Sequence, residues 1–213
     1  MVTDTPAAQS KACRMLAEVF PNAVVLIVTR GFRGMVLSSY SQFVRGGGFV
    51  DLPDLIEITR RDFDRIAAWH YDRIIAAYRD AFGADDVIVM PYELLRDDPD
   101  AFTTHLARRL GIDPLGGERA RVNESLSPAE MYWYPRFARV MRALRWRKLY
   151  SLYVRASFAN RLRWPIRWLA KVRPRGAVTE ALIDDNVLAP FRGRAESLRH
   201  DPLFAPYLRD YLM

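Results

Sequence analysis

Two short apolar runs predict the strands of a parallel sheet. Residues 23–28 form a continuous aliphatic, largely β-branched run, which is typical of a strand buried on both faces. Residues 87–90 have the same character. A long helical pattern separates the two runs, and a strand–helix–strand connection of this kind favours parallel pairing. The sequence therefore predicts an α/β domain with a short parallel sheet.

Apolar residues spaced three and four apart predict two helices that flank the first strand. The helix before it covers residues 11–20, and the helix after it covers residues 35–44. In the first of these, Ala12, Met15, Leu16 and Val19 lie at helical spacing. Pro21 and Asn22 are expected to end this helix.

Two further helices are expected on either side of the second strand. The pattern over residues 61–82 predicts a long helix with His70 on its apolar face, where a core role is far more common than a catalytic one. A second helix is expected to end at Gly111, with Asp98 as its N-cap and Pro99 at its first position. The residues expected to face inward from this helix are Phe102, Leu106 and Leu110.

The turn after the first strand carries the strongest candidate chemistry. Arg30 follows the strand directly, and Ser38 lies about one turn into the expected helix. Ligands of open α/β sheets collect at the carboxyl ends of strands, where helix N-termini offer free N–H groups. Arg30 and Ser38 are therefore candidates for an anion site. A solvated arginine, with a serine hydrogen-bonded to its own helix, explains the same residues equally well.

Composition is typical of a globular protein. The chain has 213 residues, half of them hydrophobic, which suffices for one sizeable core, so we expect a single domain with an α/β core at 11–111 and a helical region at 128–213. The single cysteine, Cys13, excludes an intrachain disulfide and fits a reducing compartment.

No apolar run approaches the roughly 20 residues of a membrane span, and no signal peptide is recognisable. A cytoplasmic protein is predicted.

The net charge of +7 is concentrated in residues 131–175. This basic segment holds 13 Lys or Arg, no acidic residue and four of the five tryptophans, whereas the rest of the chain has 19 basic against 25 acidic residues. It could lie on an anionic membrane, bind nucleic acid, or wall the site and attract an acidic substrate. Nucleic acid is the least favoured of the three.

The glycines at 46–48 are not followed by a lysine, so they form either a mobile edge of the substrate cleft or a plain linker, not a Walker-type loop.

The turn at Arg30 resembles the 3'-phosphate-binding segment of a known family. In sulfotransferases that use 3'-phosphoadenosine 5'-phosphosulfate (PAPS), an arginine ends a strand and a serine stands eight positions later, followed by an aromatic residue and often an arginine. The residues that fit this pattern are Arg30, Ser38, Tyr40 and Arg45. The family usually continues from the first arginine with Asp or Asn and then Pro, whereas this chain has Gly31 and Phe32.

Residues 87–112 carry a second part of the resemblance. Sulfotransferases of this kind have a strand ending in Tyr-Glu-x-Leu, an Asp-Pro helix start and a helix closing in Leu-Gly. The matching residues are Tyr92, Glu93, Leu95, Asp98, Pro99, Leu110 and Gly111. The resemblance places Arg30 and Ser38 at the 3'-phosphate of PAPS and Tyr92 near its adenine, while a ring packed under the strand end is the structural alternative. Glu93 is expected to orient Tyr92 or the turn.

A third segment is similar to the loop that closes over the nucleotide's 3'-phosphate in many bacterial sulfotransferases. That loop has a Val-Asn-x-Ser pattern, which residues 122–125 match. The additional binding candidates are Arg119, Arg121, Asn123 and Ser125. A plain lead-in to a helix that begins with a capping box of Ser127 and Glu130 is an equal alternative.

The resemblance implies a P-loop-like three-layer sulfotransferase fold with a helical C-terminal part. It implies transfer of a sulfuryl group from PAPS, without a metal, to a hydroxyl of a small molecule, lipid or glycan. In the family, the lysine-bearing loop for the 5'-phosphosulfate and the catalytic base precede the arginine-ended strand. Only 29 residues precede Arg30, so we expect an N-terminally incomplete chain with no assignable catalytic residue and doubtful competence on its own. The alternatives are a non-catalytic nucleotide- or anion-binding relative and a basic protein of membrane surfaces.

Overall fold

A computed structural model describes residues 6–60, 69–113, 125–143 and 177–212. The chain divides into two compact units, which we describe separately. Unit 1 comprises Met1–Phe32, Asp62–Arg119 and Asp185–Met213, and unit 2 comprises Arg33–Arg61 and Ala120–Asp184. The single domain over 1–213, with parts at 11–111 and 128–213, stays a prediction.

The described residues contain two strands and a series of helices. The strands are β1 (Val25–Thr29) and β2 (Val87–Pro91). The helices in chain order are α1 (Pro6–Val19), α2 (Phe32–Arg45), α3 (Leu52–Arg60), α4 (Tyr71–Phe82), α5 (Tyr92–Asp97), α6 (Pro99–Leu110), α7 (Pro128–Ala143), α8 (Asp185–Leu188) and α9 (Leu208–Tyr211). Short 3-10 turns cover Glu180–Leu182, Ala189–Phe191, Glu196–Leu198 and Ala205–Tyr207.

The parallel sheet of unit 1 confirms the predicted pairing. β1 and β2 run parallel in a register that sets Val25 opposite Val87 and Thr29 opposite Pro91. Every residue of β2 is buried. Its inner side packs against α6 and α5 in a cluster of Ile88, Met90 and Phe102 with Leu94, Leu95 and Leu106.

β1 is less buried than its apolar sequence predicts. Leu26 and Val28 are 41% and 44% exposed, so the prediction of a strand buried on both faces is wrong. Because successive side chains of a strand point to opposite faces, these two residues share one face, which no described residue covers fully. Thr29, on the other face, is buried.

α1 confirms the helix expected before the first strand. Its apolar residues Met15, Leu16 and Val19 are 55%, 43% and 66% exposed. The contact with α4 is made by Cys13, which is buried and whose thiol donates a 3.3 Å hydrogen bond to the carbonyl oxygen of Ala77. A small side chain at this position lets the backbone of α4 approach closely.

α2 begins three residues before its predicted start, and the cause is the environment of Phe32. This ring is fully buried, stacks on Tyr71 at 5.1 Å and packs on Phe191 at 4.7 Å between ring centroids. The helix therefore starts where that ring is anchored. Ser38 is consequently the seventh residue of α2 and lies almost two turns into it, not one.

α4 is shorter than the predicted helix over 61–82, of which residues 61–68 lie outside the described residues. His70 precedes α4 with φ −124° and ψ 81°, so it does not lie on a helical face as predicted. The carboxylate of Asp72 accepts hydrogen bonds from the backbone N–H groups of Glu196 and Ser197 at 3.0 and 2.9 Å. These contacts tie the start of α4 to the C-terminal segment, which local sequence does not reveal.

α6 confirms its predicted boundaries. The side chain of Asp98 accepts a 2.9 Å hydrogen bond from the N–H of Ala101, and Gly111 ends the helix in the left-handed conformation with φ 67°. Both are local signals. The inward face ends one turn early, because Leu110 is 39% exposed.

Unit 2 contains a helix that the sequence patterns missed. The glycines at 46–48 form a tight turn, in which the N–H of Gly48 donates a 2.9 Å hydrogen bond to the carbonyl of Phe43, and this turn leads to α3.

The capping box predicted at the start of α7 is confirmed. Ser127 N–H donates to Glu130 at 2.8 Å, and Glu130 N–H donates to the Ser127 hydroxyl at 3.2 Å.

The last segment of unit 1 packs through short pieces. Of the helical region expected at 128–213, this segment forms 3-10 turns and the four-residue helices α8 and α9. Phe191 and Leu198 are buried. Phe204 and Tyr211 are 0% and 1% exposed, so the tail packs into the core.

Candidate functional site

The carboxyl ends of β1 and β2 bring two predicted site residues together in unit 1. The register sets Thr29 opposite Pro91, so the residues that follow, Arg30 and Tyr92, are neighbours. The guanidinium carbon of Arg30 lies 4.6 Å from the centre of the Tyr92 ring. This distance is that of a cation–π contact, which orients the guanidinium.

The backbone of Arg30 is held by the hydroxyl of Tyr71, the first residue of α4. That hydroxyl donates a 2.6 Å hydrogen bond to the carbonyl oxygen of Arg30 and accepts one of 3.3 Å from its N–H. Burial raises the pKa of the Tyr71 phenol, so the proton that it donates is retained at neutral pH.

The next residue is held by Glu93, which is 3% exposed. One carboxylate oxygen accepts a 2.9 Å hydrogen bond from the N–H of Gly31, and the other accepts a 2.8 Å bond from the hydroxyl of Tyr211 in α9. Thr29 in turn donates to the Tyr211 hydroxyl at 3.3 Å. A buried carboxylate needs such partners, and here they fix the turn after β1. Of the two roles expected for Glu93, the structure shows the one at the turn.

The two departures from the sulfotransferase pattern after Arg30 have a structural reason. A Cβ atom at Gly31 would lie 2.5 Å from the Cβ of Asp210, so the close approach of α9 leaves room only for glycine. Phe32 fills the aromatic cluster described above. The turn is therefore built to fit this chain's own C-terminal tail.

The guanidinium of Arg30 is a polar group that this edge of the sheet can offer to a ligand. The N–H groups of Arg30 and Gly31 are occupied by Tyr71 and Glu93. Among the residues with described positions, no carboxylate lies within 4.0 Å of the half-buried Arg30 guanidinium. An anion at this edge would meet a preoriented positive charge.

The comparison with known families decides the assignment. The sulfotransferase family model matches residues 3–115, which is more than half of the chain. The chain belongs to the sulfotransferase family. No curated protein and no solved structure matches it. The matched residues of this sulfotransferase-family chain include both strands, Arg30 and Tyr92, and they exclude the basic segment 131–175.

The other predicted site residues lie in unit 2 or outside the described residues. Ser38 is half-buried in α2 of unit 2, and Ser125 is exposed just before α7. Arg119, Arg121 and Asn123 lie outside the described residues. Tyr40 has a structural role in unit 2, where its buried hydroxyl lies 3.3 Å from the carbonyl oxygen of Val50. The participation of Ser38, Arg119, Arg121, Asn123 and Ser125 stays a prediction.

The described part of the basic segment pairs its arginines within unit 2. Arg136 and Arg139 both contact the carboxylate of Asp51, at 3.4 and 2.7 Å. Arg142 lies 4.0 Å over the ring of Phe49. Residues 144–175 are outside the described residues, so contact with a membrane, nucleic acid or acidic substrate stays a prediction.

Two negative findings apply to the described residues of this sulfotransferase-family chain. No group of three or more His, Cys, Asp or Glu side chains there could hold a metal ion. No helix in that part of the chain is both long and apolar enough to cross a bilayer.

Sequence reasoning missed Tyr71 and Tyr211. Both residues are distant from Arg30 along the chain, by 41 and 181 positions, and neither belongs to a local motif. The only available signal is general, since a buried tyrosine hydroxyl usually needs a hydrogen-bond partner. That signal does not say which partner it finds.

Proposed function

We propose that the chain binds PAPS through its 3'-phosphate and transfers the sulfuryl group to a hydroxyl acceptor. The observation that carries the proposal is Arg30, a guanidinium without a described carboxylate partner at the carboxyl end of β1 in a member of the sulfotransferase family. Arginine can give two parallel N–H bonds to a phosphate, and such charge-assisted bonds are among the strongest in proteins.

Tyr92 has a defined place in this proposal. Arg30 covers one face of its ring, so adenine would contact the opposite face or the ring edge. The ring then serves two ends of the nucleotide, because it supports the guanidinium at the 3'-phosphate and offers apolar surface to the base. Ser38, Arg121, Asn123 and Ser125 complete the proposed contacts.

The reaction is a group transfer at sulfur. The acceptor oxygen attacks sulfur in line, an O–S bond forms, and the S–O bond to the 5'-phosphate breaks. The hydroxyl proton leaves to a base, and the products are a sulfate ester and adenosine 3',5'-bisphosphate. Such transfers depend on positioning and on charge stabilisation. Arg30 would contact the donor far from the sulfur, so its binding energy is the same in the ground and transition states and acts on KM, not on kcat.

A transfer assay tests the enzymatic part of the proposal. PAPS with labelled sulfate is offered with a panel of small alcohols, phenols, glycans and lipid hydroxyls. Labelled product in one class identifies the acceptor class, and Arg30→Ala should then raise the KM for PAPS with little change in kcat. Transfer to no member of the panel by a chain that binds the nucleotide would contradict the transferase part and leave nucleotide binding.

A further inference from the structure

The C-terminal helix α9 contacts the turn that carries Arg30 more closely than any local motif requires. We propose that α9 is a positioning element of the donor site: the hydroxyl of Tyr211, acting through Glu93, fixes the turn at Gly31 and thereby the place of the Arg30 guanidinium. This inference rests on the proposed function, since it assigns the residue that prepares the same site.

Hydrogen bonds link the Tyr211 hydroxyl through Glu93 to the turn at Gly31. Tyr211 donates to one oxygen of Glu93 at 2.8 Å, and Gly31 N–H donates to the other oxygen at 2.9 Å. Thr29, the last residue of β1, donates to the same tyrosine hydroxyl at 3.3 Å. The hydroxyl therefore joins the end of β1 to the carboxylate that holds the turn.

The ring of Tyr211 is packed on several sides, and the residue is 1% exposed. Its centroid lies 5.3 Å from that of Phe204, 6.1 Å from that of Tyr71 and 6.4 Å from that of Phe32. Tyr71 is the residue that holds the backbone of Arg30. The ring is thus fixed by the same cluster that fixes the turn, and its hydroxyl has little freedom to move.

Gly31 lies in close contact with α9. A Cβ atom at residue 31 would come within 2.5 Å of the Asp210 Cβ and 3.4 Å of Glu93 Oε1. The turn and the tail therefore fill the same small space, and the turn cannot hold its position independently of α9. Small displacements of a binding group can cost much of its effect, so a site prepared in this way depends on the tail.

A spectroscopic test reads the position of Arg30 without any ligand. The Tyr92 ring at 4.6 Å should displace the NMR signal of the Arg30 Nε–H group, which is assigned by its absence in Arg30→Lys. Tyr211→Phe removes one hydroxyl and keeps the ring, and we expect the displacement to be lost. Tyr207→Phe is the matched control, since Tyr207 lies on the same tail and the bonds from Glu93 to Gly31 and to Tyr211 do not involve its hydroxyl. An unchanged Arg30 signal in Tyr211→Phe would overturn the inference.

A binding test then separates positioning from general stability. Tyr211→Phe should weaken binding of adenosine 3',5'-bisphosphate about fivefold, the equivalent of one hydrogen bond, and leave adenosine 5'-phosphate unaffected. In an Arg30→Ala background the same change should have no further effect, because the two residues act as one unit. Equal losses for both nucleotides, or additive losses in the double variant, would overturn the inference.

Failure of the parent protein to bind nucleotide and failure of Tyr211→Phe to fold can both be told apart from failure of the positioning role. If the parent protein binds neither nucleotide, the proposed function fails, while the ligand-free NMR signal still decides the positioning role. If Tyr211→Phe does not fold, Glu93→Leu replaces it, since leucine has no atom that can accept from Gly31 or exchange a hydrogen bond with Tyr211. The same loss of the Arg30 displacement is then expected, and its absence counts against the proposal.

Discussion

At the scale of single residues, the Tyr92 ring supports the charge that the proposed site depends on. The Arg30 guanidinium lies 4.6 Å from its centroid. Tyr92→Leu should remove this support at a cost of about 0.5–1 kcal/mol, or roughly two- to fivefold weaker binding of adenosine 3',5'-bisphosphate. Tyr92→Phe keeps the aromatic face and is the matched control. Calorimetric titration measures the affinity of both variants. Equal affinity of Tyr92→Leu and the parent would show that the cation–π contact does not contribute to binding.

Gly31 gives a second prediction at this scale, this time for stability. A methyl group there would overlap with Asp210, so Gly31→Ala should lower the free energy of unfolding by about 1–3 kcal/mol. Gly46→Ala is the control, because a Cβ there would lie 3.4 Å from its nearest neighbour. Urea titration of both variants reports the difference, and similar midpoints would show that the tail yields to the added methyl.

At the scale of elements, local capping determines where α6 begins. Asp98 closes the start of α6 with a bond to the Ala101 N–H. Asp98→Ala should therefore cost about 1 kcal/mol of stability, whereas Asp98→Asn, which keeps a capping oxygen without the charge, should cost only a few tenths. Thermal or urea unfolding compares the two, and equal losses would mean that charge, not the capping bond, dominates.

The elements also show how far the sequence could predict this fold. The ends of α6, the capping box of α7 and the two strands were predictable because their signals lie within a few residues. The start of α4 and the inward face of α1 were not, since the first depends on a distant segment and the second on a Cys13 contact to α4. The same division holds at the site: Arg30 and Tyr92 follow strands directly, while Tyr71 and Tyr211 reach the turn only through tertiary packing.

At the scale of the whole molecule, buried tyrosines predict a loss of stability at alkaline pH. Burial raises the pKa of Tyr40, Tyr71 and Tyr211 above the usual value near 10. The unfolded chain therefore releases these protons first, so their contribution is complete below about pH 10 and is lost as the pH rises further. Each group adds up to about 1.4 kcal/mol per pH unit to that slope. Urea titrations from pH 9 to 11.5 should show a shallower slope for Tyr211→Phe, and identical slopes would contradict the burial argument.

The proposed donor site depends on recognition of a 3'-phosphate by Arg30. Calorimetry with adenosine 3',5'-bisphosphate and adenosine 5'-phosphate, which differ in that one group, measures this recognition directly. Arg30→Ala should weaken binding of the bisphosphate by about 1.5–3 kcal/mol, or roughly 10- to 150-fold, and leave binding of the monophosphate nearly unchanged. Arg73→Ala, which removes an exposed arginine from α4 of the same unit, should change neither affinity. Equal binding of the bisphosphate by the parent and by Arg30→Ala would contradict the account.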